Sequence, residues 1–161
     1  MSESLENFTN IVKEDIKEAK TLFFSDAFKE EYLKDRREEK ELYHQLLLGR
    51  NRNQILEEFL LSSGQKKPVL LSAAKTIYQA TIMNLDEPLE IKVKREGWGY
   101  LVGRIKSDGT FLSLHKNTFQ AEDFEDGTLT IYADMKTIPK DGDIDHLIIQ
   151  TVYQTLQIEV V

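Results

Sequence analysis

Three histidines, two acidic loops and one glycine-rich stretch are the residues whose type and spacing bear on chemistry. His44, His115 and His146 stand far apart, and none has a second histidine or a carboxylate at the spacing of a helical or hairpin metal motif. Zinc takes three or four convergent ligands, so each reads as a surface or hydrogen-bonded side chain. The absence of cysteine removes disulfides, thiol nucleophiles and thiolate metal sites. Asp141, Asp143 and Asp145 alternate as the acids of a calcium loop do, but Gly142 comes too early and Ile144 is expected to face a core. Glu122, Asp123, Glu125 and Asp126 make the second acidic loop. Without a closing bidentate glutamate at a fixed spacing, both loops read as solvated turn acids. Gly97-Trp98-Gly99-Tyr100-Leu101-Val102-Gly103 has the glycine content of a phosphate loop. Such a loop opens a helix whose N-terminus holds the anion, whereas an extended run follows here. The stretch therefore reads as a turn with Trp98 packing over a sheet edge. The functional alternative is an exposed aromatic contact made by Trp98 and Tyr100, side chains suited to interface hot spots. There is no nucleophile elbow for Ser-His-Asp chemistry. No catalytic residue, metal ligand or cofactor-binding residue is assigned.

The elements that would position Trp98 are strands. Leu89, Ile91 and Val93 alternate with Glu90, Lys92 and Lys94, which predicts a half-buried strand over Leu89–Glu96. The Gly97-Trp98-Gly99 turn and a partner strand over Tyr100–Ser107 complete a predicted hairpin. Further short strands are expected at Val69–Ser72, Thr76–Asn84, Phe111–Leu114, Thr118–Ala121, Thr128–Asp134, Ile144–Val152 and Gln154–Val161. Turns separate them at Leu85–Pro88, Ser107–Thr110 and Lys116-Asn117. Before Pro68 the period is helical. Leu5, Phe8, Ile11, Val12, Ile16, Ala19, Leu22 and Phe23 form one apolar stripe, predicting a helix from Ser4 to about Phe24. A second helix is expected from Asp26 to Leu48, with the seven charged residues Lys34–Lys40 as its solvated middle; the alternative is a protruding helix or a break there that splits it in two. A third spans Asn53–Ser62. The small, polar Ser62–Pro68 marks a boundary. The expected fold is α+β: amphipathic helices, two or three, over residues 1–63, then an antiparallel Ig-like β-sandwich over 68–161.

Composition sets the partners. The 161 residues carry a net charge of −7, a surface that repels nucleic-acid backbones and anionic lipid. No nucleic acid and no membrane is expected as a partner. No apolar run approaches the ~18 residues that span a bilayer, and the N-terminus lacks a signal-peptide pattern. A cytoplasmic location is expected.

One family likeness is carried by Pro68-Val69-Leu70-Leu71-Ser72, by Met83 to Ile91, by Gly99 to Ile105, by Phe111-Leu112-Ser113-Leu114 with Phe119, and by Asp141-Gly142-Asp143-Ile144. On these residues the stretch after 67 resembles the bacterial Ig-like and fibronectin-like β-sandwich modules. The resemblance implies a scaffold or interaction role without catalytic residues. The function expected is therefore a non-enzymatic interaction or adaptor module with a protein partner, its helices offering a surface for homodimerisation. The alternative is a carbohydrate or small-ligand binding domain that uses exposed aromatics and the acidic loops.

Overall fold

Strong caps keep the helices short. In the computed structural model, which describes residues 4–80, 87–109, 111–140 and 142–161, α1 (Leu5–Glu14) begins at Ser4, whose Oγ accepts from the Asn7 amide. It ends at Asp15, which is extended and whose carboxylate accepts from the amides of Lys17 and Glu18, both at 3.1 Å, to start α2 (Ile16–Phe23). An aspartate that satisfies two orphan amides favours the start of a new helix over continuation of the old one. The single helix expected from Ser4 to Phe24 is therefore two.

The helix expected over 26–48 is also two: α3 (Asp26–Tyr32) and α4 (Arg37–Leu46), followed by α5 (Arg52–Ser62). The charged run is not a helix middle, because the chain breaks between Leu33 and Arg36. The reason is reach. Phe28 and Tyr43, fifteen positions apart, would be about 22 Å apart along one straight helix, yet their ring centroids lie 5.3 Å apart. Phe28 also packs on Phe8 at 4.6 Å and Phe23 at 4.9 Å. Phe8, Phe23, Phe28 and Phe59 are fully buried together, and folding the chain back at Leu33 lets them meet. Ring pairs at these separations add to what burial alone contributes.

The chain divides into two compact units: residues 1–68 with 98–100, and residues 69–97 with 101–161. The second unit holds β1 (Leu70–Ala73), β2 (Ile77–Tyr78), β3 (Leu89–Glu96), β4 (Val102–Ser107), β5 (Leu112–Leu114), β6 (Thr118–Gln120), β7 (Thr128–Met135), β8 (Asp145–Gln150) and β9 (Thr155–Val160). The first sheet has the order β1-β3-β7-β5 and the second β2-β9-β8-β4-β6. Ile91, Val93, Leu129, Ile131 and Ala133 of the first sheet share one buried cluster with Ile105, Phe119, Leu147, Ile149 and Ile158 of the second.

Two expectations change here. The predicted hairpin is not a hairpin: β3 pairs with β1 and β7, while β4 pairs with β6 and β8 in the other sheet. Gly97 (φ 107°) and Gly99 (φ 91°) turn the backbone out of the first sheet, a conformation glycine adopts without steric cost. Alternation specifies that one face is buried but not which wall of the core it lines. The sheets are also not wholly antiparallel, because β2 runs parallel to β9. After β1 the chain changes sheets without reversing direction. At that crossing the Gln154 side-chain amide donates to the Leu71 carbonyl (2.8 Å) and accepts from the Leu71 amide (2.7 Å), so the outer edge of β1 is occupied. Residues 81–86 of the predicted strand Thr76–Asn84 and turn Leu85–Pro88, Thr110 of the Ser107–Thr110 turn, and Asp141 lie outside the described residues. Among the described residues no helix is long and apolar enough to cross a membrane.

The buried Tyr43 hydroxyl donates to the Phe23 carbonyl at 2.5 Å. Burial, and secondarily the Asp26 carboxylate, push this phenol above its ordinary value. Above about pH 10 the unfolded chain releases the phenolic proton while the fold retains it, so stability falls as pH rises. Tyr43→Phe is expected to cost about 1 kcal/mol at neutral pH and to lose stability less steeply than wild type above that pH in urea titrations; equal slopes would contradict the assignment.

Candidate functional site

Titratable side chains gather at three places, each built by a different local cause. The first is the end of β4. Asp145 opens β8 and is fully buried. Its carboxylate accepts from the Ser107 hydroxyl, from the Gly109 amide at 2.9 Å and from the Leu112 amide at 3.2 Å. Read from sequence as a solvated turn acid, Asp145 is instead an interior acceptor, and Ile144, expected to face the core, is 48% exposed. The ladder puts Asp145 opposite Val160 on the inward face, which turns Ile144 out. Beside this group the Asp108 carboxylate accepts from the His146 amide at 2.9 Å, and its other oxygen lies 3.2 Å from His146 Nδ1. His146 Nε2 lies 3.7 Å from Glu159. Serine, histidine and aspartate are thus neighbours, but the hydroxyl is bonded to Asp145 and the imidazole faces Asp108 and Glu159. A nucleophilic serine needs its base within hydrogen-bond reach; this arrangement holds turns together instead.

The second place lies in the helical unit. Lys66 Nζ is 2.6 Å from Glu57 Oε1, with both side chains almost wholly buried. The same ammonium donates to the Trp98 carbonyl at 2.6 Å and lies 4.4 Å from the Trp98 ring centroid; Lys13 Nζ lies 5.0 Å from that centroid. Trp98 and Tyr100, the pair offered from sequence as an exposed aromatic contact, are both half-buried. Trp98 packs against the buried cluster of the helices rather than over a sheet edge. Sequence reading passed over Glu57 and Lys66. The available signal was an acid set among Ile55, Leu56, Phe59 and Leu60, where a charge is costly without a partner.

The third place is a depression of about 900 Å³ on the second sheet, lined by Val102 to Arg104 of β4, by His115 to Gln120, by Asp123 and by Gln150 to Val152. Val102 and Val152 are 38% and 65% exposed. Arg104 is exposed and has no carboxylate partner among the described residues. At the rim His115 Nε2 lies 2.9 Å from Asp134, with its ring stacked on Tyr132, and Lys116 lies 3.5 Å from Asp123. His44 lies on the exposed side of α4, away from the other two histidines in sequence and unit. Among the described residues no three histidine or carboxylate side chains converge as metal ligands. Asp143 accepts from the Lys140 amide at 2.8 Å.

The class of protein these features define is α+β, with five α-helices among the described residues and a unit of two sheets around one core. The chain belongs to a family of unknown function, DUF5717, whose N-terminal model matches residues 2–161. No curated protein matches the sequence. Among solved structures, the chain is similar to the YadV chaperone, with a TM-score of 0.39 and 11% identity over 58% of this chain and 50% of that one, so it spans half of that protein. It is also similar to a FixG-related protein from Vibrio parahaemolyticus, with a TM-score of 0.35 and 17% identity over 58% of this chain and 94% of that one.

Two outcomes test these assignments. Removing one partner of a buried pair leaves a lone charge, so Glu57→Met or Lys66→Met alone is expected to cost about 3–5 kcal/mol, and the double variant far less; additive costs in a urea-denaturation cycle would refute the pairing. A Cβ at Gly109 would overlap the Asp145 carboxylate, so Gly109→Ala is expected to lower stability by about 1–3 kcal/mol, read from its thermal midpoint; an unchanged midpoint would show that the turn relaxes freely.

Proposed function

We propose that the chain is a non-enzymatic protein-interaction module, a helical domain over 1–63 followed by an Ig-like domain over 68–161. The strand order supports the second domain. The neighbours β1-β3-β7 and β9-β8-β4 repeat the A-B-E and G-F-C order of an Ig sandwich. The departure is one of order: the strand beside β7 (β5) precedes the strand beside β4 (β6), whereas in an Ig sandwich the extra strand on the C side comes before D.

The depression on the second sheet carries the interaction reading. It offers exposed Val102 and Val152 beside Arg104, which has no carboxylate partner among the described residues, and apolar side chains with an arginine are suited to a protein contact. The acid–base groups elsewhere are engaged in holding turns and helices. At the β1 and β6 edges strand addition is obstructed, because Gln154 occupies the edge of β1 and Asp123 accepts the Gln120 amide at the edge of β6. The full chain immobilised through its N-terminus is expected to retain a partner from a lysate of its source. Arg104→Glu combined with Val152→Asp is expected to reduce recovery at least about tenfold, roughly the loss of one hot spot, with an unchanged circular dichroism melt. Equal recovery by the double variant would overturn the assignment of this face.

A further inference from the structure

β5 pairs with β7 only as far as Leu114 opposite Ala133, and one further bond joins the His115 amide to the Tyr132 carbonyl at 3.0 Å. The chain then leaves for the other sheet as β6. On that side the stretch Leu129–Ile131 of β7 has no strand beside it among the described residues. The gap opens between the sheets as a cavity of about 250 Å³. Its interior walls are Ile105 and Phe119 from one sheet and Leu129 and Ile131 from the other, all nearly buried. A cavity of about 150 Å³ lined by such side chains stays dry and admits benzene, so this one has room for a substituted ring.

The mouth is polar, and its Lys116 and Asp123 side chains pair with each other. Antiparallel ladder bonds alternate from residue to residue. Asp134 and Tyr132 turn their backbone groups toward β5, so Thr130, two residues on, turns its N–H and C=O into the gap. Thr118 and Asp123 also line the cavity. Lys116 is 3.5 Å from Asp123, and His115 is 2.9 Å from Asp134. A charged headgroup would have to displace one of these partners. A hydroxyl can both donate and accept at Thr130 without displacing either.

From these walls and this mouth we propose that the gap under the β5–β6 turn binds a small neutral molecule of one aromatic ring bearing a hydroxyl group, a simple phenol. The site shares His115, Lys116, Thr118, Phe119 and Asp123 with the outer-face depression, but the walls Ile105, Leu129 and Ile131 belong to it alone, so ligand binding is read there independently of any protein contact. The test is a titration of the 161-residue chain with p-cresol, followed in methyl-resolved carbon–proton spectra. Saturable shifts are expected at Ile105, Leu129 and Ile131, with nuclear Overhauser contacts from the ring protons to the same methyls, and none at Leu5 or Leu60 in the helical unit. Toluene, lacking the hydrogen bond, is expected to bind about tenfold more weakly. Leu129→Phe, which fills the gap, is expected to abolish the shifts while retaining the wild-type melting curve. Should that variant fail to fold, the Overhauser contacts in the wild-type chain decide the location. Absence of saturable shifts at millimolar p-cresol, shifts that persist unchanged in a folded Leu129→Phe, or contacts to other methyls would overturn the site. Toluene binding as tightly as p-cresol would overturn the assigned ligand class.

Discussion

A single buried carboxylate determines where the β unit changes sheets. Asp145, at the start of β8, accepts from Ser107 at the end of β4, from Gly109 in the turn and from Leu112 at the start of β5. Those donors lie on both sides of the crossing from the second sheet to the first. Buried amides away from a ladder need acceptors, and a carboxylate supplies several lone pairs at one point in space. With Asp145 satisfied in this way, its burial is tolerable and the crossing has one geometry. The later course of the chain follows from it: β5 joins β7, covers only part of it, and departs again as β6. Both the outer depression and the gap between the sheets are bordered by that departure.

The helical unit rests on a comparable arrangement with the charge balanced differently. Its centre is a group of aromatic rings gathered from α1 to α5, which explains why five short helices replace fewer long ones. Long helices keep residues fifteen positions apart far from each other; short helices with caps at Ser4, Asp15 and Asn51 let Phe8, Phe23, Phe28, Tyr43 and Phe59 converge. Beside this cluster sits the Glu57–Lys66 pair. Its net contribution to stability is modest, because desolvation offsets the attraction. Its consequence is positional, since the Lys66 ammonium engages both the carbonyl and the ring of Trp98.

The two units therefore use titratable residues in similar ways. Carboxylates, an ammonium and an imidazole are set against backbone donors, acceptors or one another where turns and crossings must be held. That leaves concave surface and exposed apolar side chains, rather than acid–base groups, as the support for a binding role.

The residues alone determined the change from helices to strands near Pro68, the inward positions Ile91, Val93, Leu129, Ile131 and Ala133, and the last two strands, because side-chain period and local turn chemistry are properties of a few adjacent residues. Alternation in β3 and β4 was legible as two half-buried strands, but their partners were not: the same pattern serves a hairpin or two opposite walls of a sandwich. Capping at Asp15 was available locally and was masked by a continuous apolar stripe. The Asp145 centre, the identity of Glu57's partner and the gap beside β7 could not be read in advance. Asp145 and its donors are more than thirty residues apart, and whether a carboxylate is a solvated turn acid or a buried acceptor depends on which donors the fold brings within about 3 Å of it. Only the tertiary structure decides that, because it alone sets the distance between residues that the chain keeps apart.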